Sequence, residues 1–249
     1  MTLMRKELLT TATLKSALVL FTLLFSLCAS SATWVNRTRI ILSEQENDMT
    51  FSVFNDGDLP ALMQLWSDRD NLLDRPETIK MPFMITPPVF RLEAGKSRVV
   101  RLQLLQQHKA LPQNVESLFW LNVLEVPPKS AAPAGSQILQ MAFRTRIKLF
   151  YRPAALANVQ LVNGVKQLTA SQVPCAQSQC LRLKSTSPLH ITLLAITLTN
   201  GTKISALPQD GMIAPLSTLD IPLPAALGAA TLKEVTWVDD YGVANRFTQ

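Results

Sequence analysis

The chain has 249 residues and carries 24 basic and 18 acidic side chains, which gives a formal net charge of +6. This mild excess, without any run rich in Lys or Arg, argues against nucleic-acid binding and favours acidic protein partners. The length is enough for one large all-β domain or for two domains of about 100 residues each, once a targeting segment is set aside.

Residues 1–32 have the pattern of a secretory signal peptide. A cationic start precedes the apolar run 17–25, which is too short to span a membrane. Ser30 and Ala32 satisfy the small-x-small rule for signal-peptidase cleavage, so we predict that the mature chain begins at Thr33. Cleavage would remove 32 of the 249 residues, three of them basic and one acidic, and would leave 217 residues with a net charge of +4.

Two other interpretations of this segment stay open. The segment could remain as an uncleaved anchor, or Cys28 could carry a lipid. Leu27 lies directly before that cysteine and fits a lipoprotein signal poorly. Cleavage is the interpretation that the cationic start, the short apolar run and the small residues favour together.

Short segments of alternating apolar and polar residues follow, separated by Pro, Gly, Asn and Asp. The first are 50–54, 62–66 and 97–104, and turn signals occur at 55–57 and 93–95. Such spacing is typical of β-strands connected by tight turns. It predicts a β-sandwich in the first half of the chain.

A second set of strand-like segments follows Pro153, a residue that interrupts a strand ladder. No internal repeat relates the two sets, so the prediction of two sandwiches rests on pattern and size. The strand-like segments are 159–162, 180–183, 190–198 and 234–238. We predict an all-β protein with a signal peptide at 1–32, an immunoglobulin-like domain at 33–153, a second at 154–249, a short linker and a cleft between the domains.

Cleavage would leave two cysteines, Cys175 and Cys180, in a chain sent to an oxidising compartment. Their spacing predicts one disulfide that closes a hairpin-sized loop. The pair supplies too few ligands for a zinc site and lacks the C-x-x-C spacing of redox enzymes. We therefore expect a structural disulfide, and neither a metal nor a cofactor.

Four stretches of the first half occur in an order and spacing that identify a family. They are Asn36-Arg-Thr-Arg-Ile40, then Thr86-Pro-Pro-Val-Phe-Arg-Leu-Glu-Ala-Gly95 with Val99-Val-Arg-Leu102, then Leu111-Pro-Gln-Asn-Val-Glu-Ser-Leu-Phe119 with Glu125-Val-Pro-Pro128, and Arg146-Ile-Lys-Leu-Phe-Tyr-Arg-Pro153. Together they resemble the PapD-type periplasmic chaperones of the chaperone–usher pathway. The resemblance covers most of residues 34–153. Downstream of residue 153 it is limited to the short stretch 239–242.

The resemblance implies a function and a set of partners. Members of this family bind, fold and cap pilus subunits in the periplasm by lending them a strand, and then deliver them to an outer-membrane usher. The resemblance implies pilus subunits and an usher as partners, and no cofactor. It leaves open whether the free chaperone self-associates to cover its exposed strand.

The segment 137–150 is predicted as a strand, because its residues alternate with a period of two. Leu139, Met141 and Phe143 share one face of this strand. Periodicity alone would place that face in the core of its own domain. The resemblance implies instead that these three side chains are lent to a subunit that lacks its final strand.

Charged residues in the same stretches take roles that the resemblance implies. Arg39 and Lys148 would clamp the C-terminal carboxylate of the subunit, although Lys148 lies on the face of the strand opposite to the apolar residues. Glu116, Arg152 and Asp240 would form an ion network between the domains, and Asp239 could replace Asp240 in it. The alternative for each is a solvated surface position, the usual fate of a charged side chain.

Two other classes of function stay open from the residues alone. An exported immunoglobulin-like adhesion or ligand-binding module would explain the sandwich, the disulfide and the signal peptide. An enzyme is poorly supported, because His108 and His190 are the only histidines and neither lies in a metal-binding or nucleophile motif. We expect His190 to be structural and the protein not to be an enzyme.

Overall fold

The computed structural model describes residues 33–69, 71, 76–129, 139–175, 179–224 and 231–249. The predicted signal peptide at 1–32 lies outside the described residues. Within the described ranges, no helix is long and apolar enough to cross a membrane.

The N-terminal half forms two sheets that face each other. Its strands are β1 (Thr33–Val35), β2 (Arg39–Ser43), β3 (Asp48–Asn55), β4 (Ala61–Asp68), β5 (Phe83–Thr86), β6 (Val89–Leu92), β7 (Lys96–Leu104), β8 (Ser117–Val126) and β9 (Phe143–Arg152). One sheet has the order β1-β3-β7-β5 and the other the order β2-β9-β8-β4-β6. The pairing is antiparallel except between β2 and β9, which run parallel. Short 3₁₀ helices lie at Pro76–Thr78 and Gln106–Ala110.

Alternation of buried and partly covered side chains along the strands explains why the two sheets pack face to face. On β3, Phe51 and Val53 are buried while Ser52 and Phe54 are only partly covered, as a strand with one face on a core requires. The two sheets meet at an edge-on contact between Phe83 and Phe119, whose ring centres lie 4.8 Å apart. The predicted segments 50–54, 62–66 and 97–104 fall within β3, β4 and β7.

The C-terminal half forms a second sandwich around its own core. Its strands are β10 (Thr169–Pro174), β11 (Gln179–Lys184), β12 (Ile191–Leu198), β13 (Lys203–Ile204), β14 (Met212–Ile213), β15 (Thr218–Leu223), β16 (Leu232–Val238) and β17 (Ala244–Thr248). One sheet has the order β10-β11-β15, and the other has the order β13-β12-β16-β17 with β14 on β12. Short 3₁₀ helices lie at Ala154–Leu156 and Pro208–Gly211. The predicted all-β fold with two immunoglobulin-like sandwiches is confirmed.

The prediction of a strand at 159–162 is wrong, because the chain forms a short helix, α1 (Leu161–Lys166), at this point. Leu161 and Val165 are buried against the second core while Val162 is 38% exposed. Buried residues four positions apart are typical of one face of a helix. The predicted segment 159–162 is too short to reveal that spacing, because it ends before Val165.

The strand predicted at 137–150 begins later and ends later than expected. β9 spans Phe143–Arg152; residues 137 and 138 lie outside the described residues, and 139–142 are not in a strand. The last pair of the ladder joins Phe143 to Glu125 on β8. Pro127 and Pro128 follow β8, and prolines lack the N–H groups that would extend the ladder.

Cys175 and Cys180 form the predicted disulfide, with their Cα atoms 5.7 Å apart. Cys180 lies on β11, and Cys175 directly follows β10. The bond therefore closes the connection between these two paired strands.

Candidate functional site

Two cations lie side by side where the first sandwich meets the second. Arg39 opens β2 and Lys148 lies on β9, and the parallel pairing of these strands sets the two residues directly opposite each other. On the other side of β9, Lys148 is opposite Trp120 of β8. Strand register, and not chance proximity of two long side chains, therefore fixes the cation pair.

Arg39 is only 8% exposed, although a guanidinium is costly to bury. One nitrogen, Nη1, donates a hydrogen bond of 3.3 Å to the carbonyl of Val238 in the second sandwich, and Nε has no partner within the described residues. Burial lowers the pKa of Arg39, and the charges of Asp240, Asp239 and Glu116 oppose this shift. The group thus retains donors for a further acceptor.

Lys148 is half-buried and has no hydrogen-bond or ion-pair partner among the residues the structure describes. Burial and then the charge of Arg39 lower the pKa of Lys148, while Asp210 opposes them. Two neighbouring cations that form no ion pair with a described residue attract an anion, and a carboxylate can accept hydrogen bonds from both.

A second charged cluster holds the two sandwiches together. Arg152, at the end of β9, contacts Glu116 of the first half at 2.9 Å and Asp240 of the second half at 2.7 Å. The Glu116 side chain is 2% exposed and that of Arg152 is 11% exposed, so water screens their contact little. The guanidinium fork meets one carboxylate from each domain, which fixes their relative position.

Asp239, the neighbour of Asp240, has a different task in the turn after β16. It accepts hydrogen bonds from the backbone N–H groups of Tyr241 and Val243 and from the side chain of Asn245. Burial raises the pKa of Asp239, but these hydrogen bonds and the charge of Arg39 together hold that pKa below its ordinary value. Asp240 is therefore the residue of the pair that contacts Arg152.

His190 joins the same cluster, which sequence reasoning did not foresee. Its backbone N–H donates to Glu116 Oε2 at 2.9 Å, its Nδ1 lies 2.9 Å from the same oxygen, and its ring packs against Phe150. The two residues are 74 positions apart, and no local pattern marks them as a pair. His190 is buried and has a structural environment, as expected.

The two sandwiches also touch at Gly242, in the turn that Asp239 organises. Gly242 has φ of +85°, and a Cβ added there would collide with Oγ1 of Thr38, which precedes β2. Glycine is required here both by the backbone conformation and by the approach of the other domain.

Gly242→Ala is expected to destabilise the contact between the domains. Gly201 provides the matched control, because it has the same φ of +85° but open space around its missing Cβ. Both variants carry the strain of a left-handed alanine, about 1–2 kcal/mol, and only Gly242→Ala must also displace Thr38. Urea unfolding should therefore show a larger loss for Gly242→Ala, and Thr38→Ala should remove part of the difference. Equal losses would mean that the approach of Thr38 has no energetic weight.

An apolar segment lies at the other end of β9. Leu139, Met141 and Phe143 are 85%, 54% and 57% exposed, whereas Ile147 and Leu149 further along the strand are buried in the core. An exposed row of large apolar side chains marks an interaction surface. The apolar residues of the predicted strand thus form two groups: those at 139–143 are exposed, and Ile147 and Leu149 face the core.

The backbone edge of β9 is also divided. β2 pairs with β9 only at its C-terminal half, from Lys148 to Arg152. Within the described ranges, no strand lies on that edge beside residues 143–147. An open edge next to exposed apolar side chains is a template for strand addition. The cation pair is about 17 Å from Phe143 along the strand, at about 3.3 Å per residue.

Both halves of the chain match models of one protein family. The family model "Pili and flagellar-assembly chaperone, PapD N-terminal domain" matches residues 32–157, and "Pili assembly chaperone PapD, C-terminal domain" matches residues 163–249. Chaperone protein MrkB of Klebsiella pneumoniae is 34% identical over 232 residues, which are 92% of this chain and 96% of MrkB. Chaperone protein FimB/FhaD of Bordetella pertussis is 35% identical over 212 residues, which are 84% of this chain and 83% of that protein.

Among solved structures, the CupB2 chaperone of Pseudomonas aeruginosa is similar to this chain with a TM-score of 0.71 and 29% sequence identity. The match covers 87% of this chain and 98% of CupB2. The similarity therefore includes both sandwiches.

Proposed function

This chain belongs to the PapD family of pilus-assembly chaperones, and from that premise we propose that it captures pilus subunits along β9 and at the junction of its two domains. One observation carries the proposal: a single strand, β9, has an exposed apolar segment at one end and an anion-seeking cation pair at the other. An adhesion or ligand-binding module gains no support from the comparisons.

The first step of capture is strand addition. A subunit that lacks a strand has an apolar groove with unsatisfied backbone edges, and such a protein aggregates. Residues 139–147 of the chaperone, which no described strand covers on the outer edge, lie along that groove and satisfy its backbone groups. The subunit thereby completes its sheet with a segment from another chain.

The second step fills the groove. Leu139, Met141 and Phe143 insert their side chains into the subunit, and each contributes roughly 1.5–3 kcal/mol when fully buried. Because the three are already exposed in the free chaperone, their transfer requires no disruption of the chaperone core. The contribution of Leu139 is the largest in terms of surface, since it starts 85% exposed.

The third step sets the register. The C-terminal carboxylate of the subunit accepts hydrogen bonds from Arg39 and Lys148, which are held side by side by the β2–β9 pairing. A subunit strand that is held at Lys148 and runs along β9 towards its N-terminal end reaches Leu139, which is nine positions from Lys148 in the chaperone sequence. The ion network of Glu116, Arg152 and Asp240 keeps the second domain in the position in which Val238 orients Arg39.

We place the protein in the periplasm, in keeping with its family, and infer that residues 1–32 are cleaved before Thr33. We also infer that the domain boundary lies after Pro153, which follows the end of β9 and directly precedes the 3₁₀ helix Ala154–Leu156. We further infer that captured subunits pass to an outer-membrane usher, and that the chaperone turns over no substrate. A screen of the purified protein for hydrolase activity tests the last point.

Co-expression tests the function directly. The chaperone with an affinity tag and a pilus subunit from the same host are produced together in the periplasm, and the complex is isolated through the tag. A chaperone recovers the subunit in equal amount and protects it from degradation. Recovery of the tagged chain alone would refute the proposal.

Met141→Glu is expected to lower the yield of the complex at least tenfold, because the groove would have to bury a carboxylate without a partner. Met84→Glu is the matched control: Met84 is 45% exposed on β5, in the other sheet of the same domain. The control should leave the yield unchanged. An unchanged yield for Met141→Glu would remove Met141 from the capture segment.

A further inference from the structure

A buried carboxylate lies beside the residue at which the mature chain is proposed to begin. Glu125 on β8 is 7% exposed, and Thr33, the first residue of β1, is 6% exposed. Thr33 Oγ1 donates a hydrogen bond of 2.7 Å to Glu125 Oε2. The two residues belong to different sheets, so the contact joins the two layers of the first sandwich.

Glu125 lacks a cation. Within the described residues, no Lys, Arg or His forms an ion pair with it, and Thr33 Oγ1 is its hydrogen-bond donor. Its neighbours across the strands are Met63 on β4 and Phe143 on β9, both apolar. An ionised carboxylate in such surroundings is costly unless a positive charge or several donors compensate it.

Cleavage before Thr33 would create such a charge. In the uncleaved chain the backbone nitrogen of Thr33 is a neutral amide, whereas in the cleaved chain it becomes an α-ammonium that is mostly protonated at neutral pH. This nitrogen is three covalent bonds from Oγ1, and Oγ1 lies 2.7 Å from Glu125 Oε2, so the nitrogen is at most about 6 Å from the carboxylate.

We propose that Glu125 is a docking site for the new N-terminus, and that removal of the signal peptide completes the first domain by forming an ion pair between the α-ammonium of Thr33 and Glu125. The inference rests on the proposed cleavage before Thr33. Because Glu125 pairs with Phe143 in the ladder, the ion pair also anchors β8 opposite the first residue of β9, within the subunit-capturing segment.

Other charges near this end of the domain have their own partners or face elsewhere. Asp56, after β3, accepts a hydrogen bond of 2.6 Å from Trp34 Nε1. Lys96 on β7 is exposed and lies opposite Asn55 in the ladder. Arg144 on β9 lies opposite Leu124 and 5.9 Å over the ring of Trp66. On β4 the residue opposite Glu125 is uncharged.

The test compares two purified chains, one that begins at Thr33 after removal of a fusion that leaves no extra residue, and one that retains residues 30–32. The Thr33 chain should have a folding equilibrium constant about tenfold higher or more in urea unfolding at pH 7. Glu125→Gln should remove the difference, and Glu77→Gln, an exposed glutamate in the 3₁₀ helix Pro76–Thr78, should preserve it. Equal stability of the two chains with Glu125 intact would overturn the proposal.

A second measurement does not depend on the stability of a variant. NMR of the wild-type Thr33 chain should give an α-amine pKa above the ordinary range of about 7.7–8.0, because the ion pair favours the charged form. The added stability is then fully present below the unfolded pKa and is lost as the pH rises through the folded pKa. An ordinary or lowered pKa would overturn the ion pair. Mass spectrometry of the exported protein separately tests cleavage, and a start other than Thr33 would refute that premise.

Discussion

Arg39→Ala is expected to weaken subunit capture by two orders of magnitude or more while the chaperone still folds. Truncating one partner of a buried charge pair costs about 2–5 kcal/mol, which is a loss of roughly 30-fold to several thousand-fold, and we expect a value in the upper part of this range. Among the described residues of the free chaperone, Arg39 has a single hydrogen-bond partner, the Val238 carbonyl, and its charge disfavours that of Lys148. Its removal therefore subtracts little from the stability of the chaperone itself.

Lys148→Ala should have a similar effect, and both variants are measured by co-purification of the subunit and by thermal unfolding of the free chaperone. Lys184→Ala provides the control, since Lys184 is an exposed cation on a strand of the second domain. A subunit with an amidated C-terminus should bind the wild type as weakly as the normal subunit binds Arg39→Ala. If Arg39→Ala protects its subunit as well as the wild type does, the carboxylate is bound elsewhere.

Glu116→Ala is expected to lower the free energy of unfolding by about 3 kcal/mol, because it leaves buried groups without partners. Glu116 accepts hydrogen bonds from Arg152 and from the backbone N–H of His190, and its side chain is only 2% exposed. Asp240 continues to pair with Arg152, which keeps the loss at the lower end of the range for broken buried pairs.

The comparison for Glu116→Ala is a surface ion pair in the second domain. Arg182 and Asp220 are 2.6 Å apart, but their side chains are 43% and 36% exposed, so Arg182→Ala should unfold at nearly the wild-type urea concentration. Equal behaviour of the two variants would show that the network at the domain junction acts only through geometry.

Sequence patterns predicted the strands well where a strand has one face on the core. β3, β4 and β7 contain the predicted segments, because burial on one face imposes a period of two. Prediction was wrong at 159–162, where two buried residues four positions apart belong to a helix face. It was also wrong for the start of β9, which depends on the prolines after the partner strand and not on residues of β9 itself.

The charged residues of the site could be selected only through the resemblance to a family. Nothing in the pattern around Arg39 or Lys148 distinguishes them from solvated cations, because their juxtaposition depends on a parallel pairing between strands more than 100 residues apart in the chain. His190 was not assigned to the network for the same reason, since its contact with Glu116 exists only after both domains have folded. The roles of these residues in capture stay predictions.

Pro127 and Pro128 end the β8 ladder opposite Phe143, and this has a consequence for the handover of subunits. Residues 139–142 form no ladder pair with β8 in the free chaperone, where the Gln140 side chain donates hydrogen bonds to the carbonyls of Pro127 and Pro128. We therefore expect subunit binding to restrict their backbone further. Fixing a residue costs about 1–2 kcal/mol in conformational entropy, and this cost is returned whenever the subunit departs. We therefore predict that this entropic cost limits how tightly the chaperone holds its subunit and favours replacement of the borrowed strand by a permanent one.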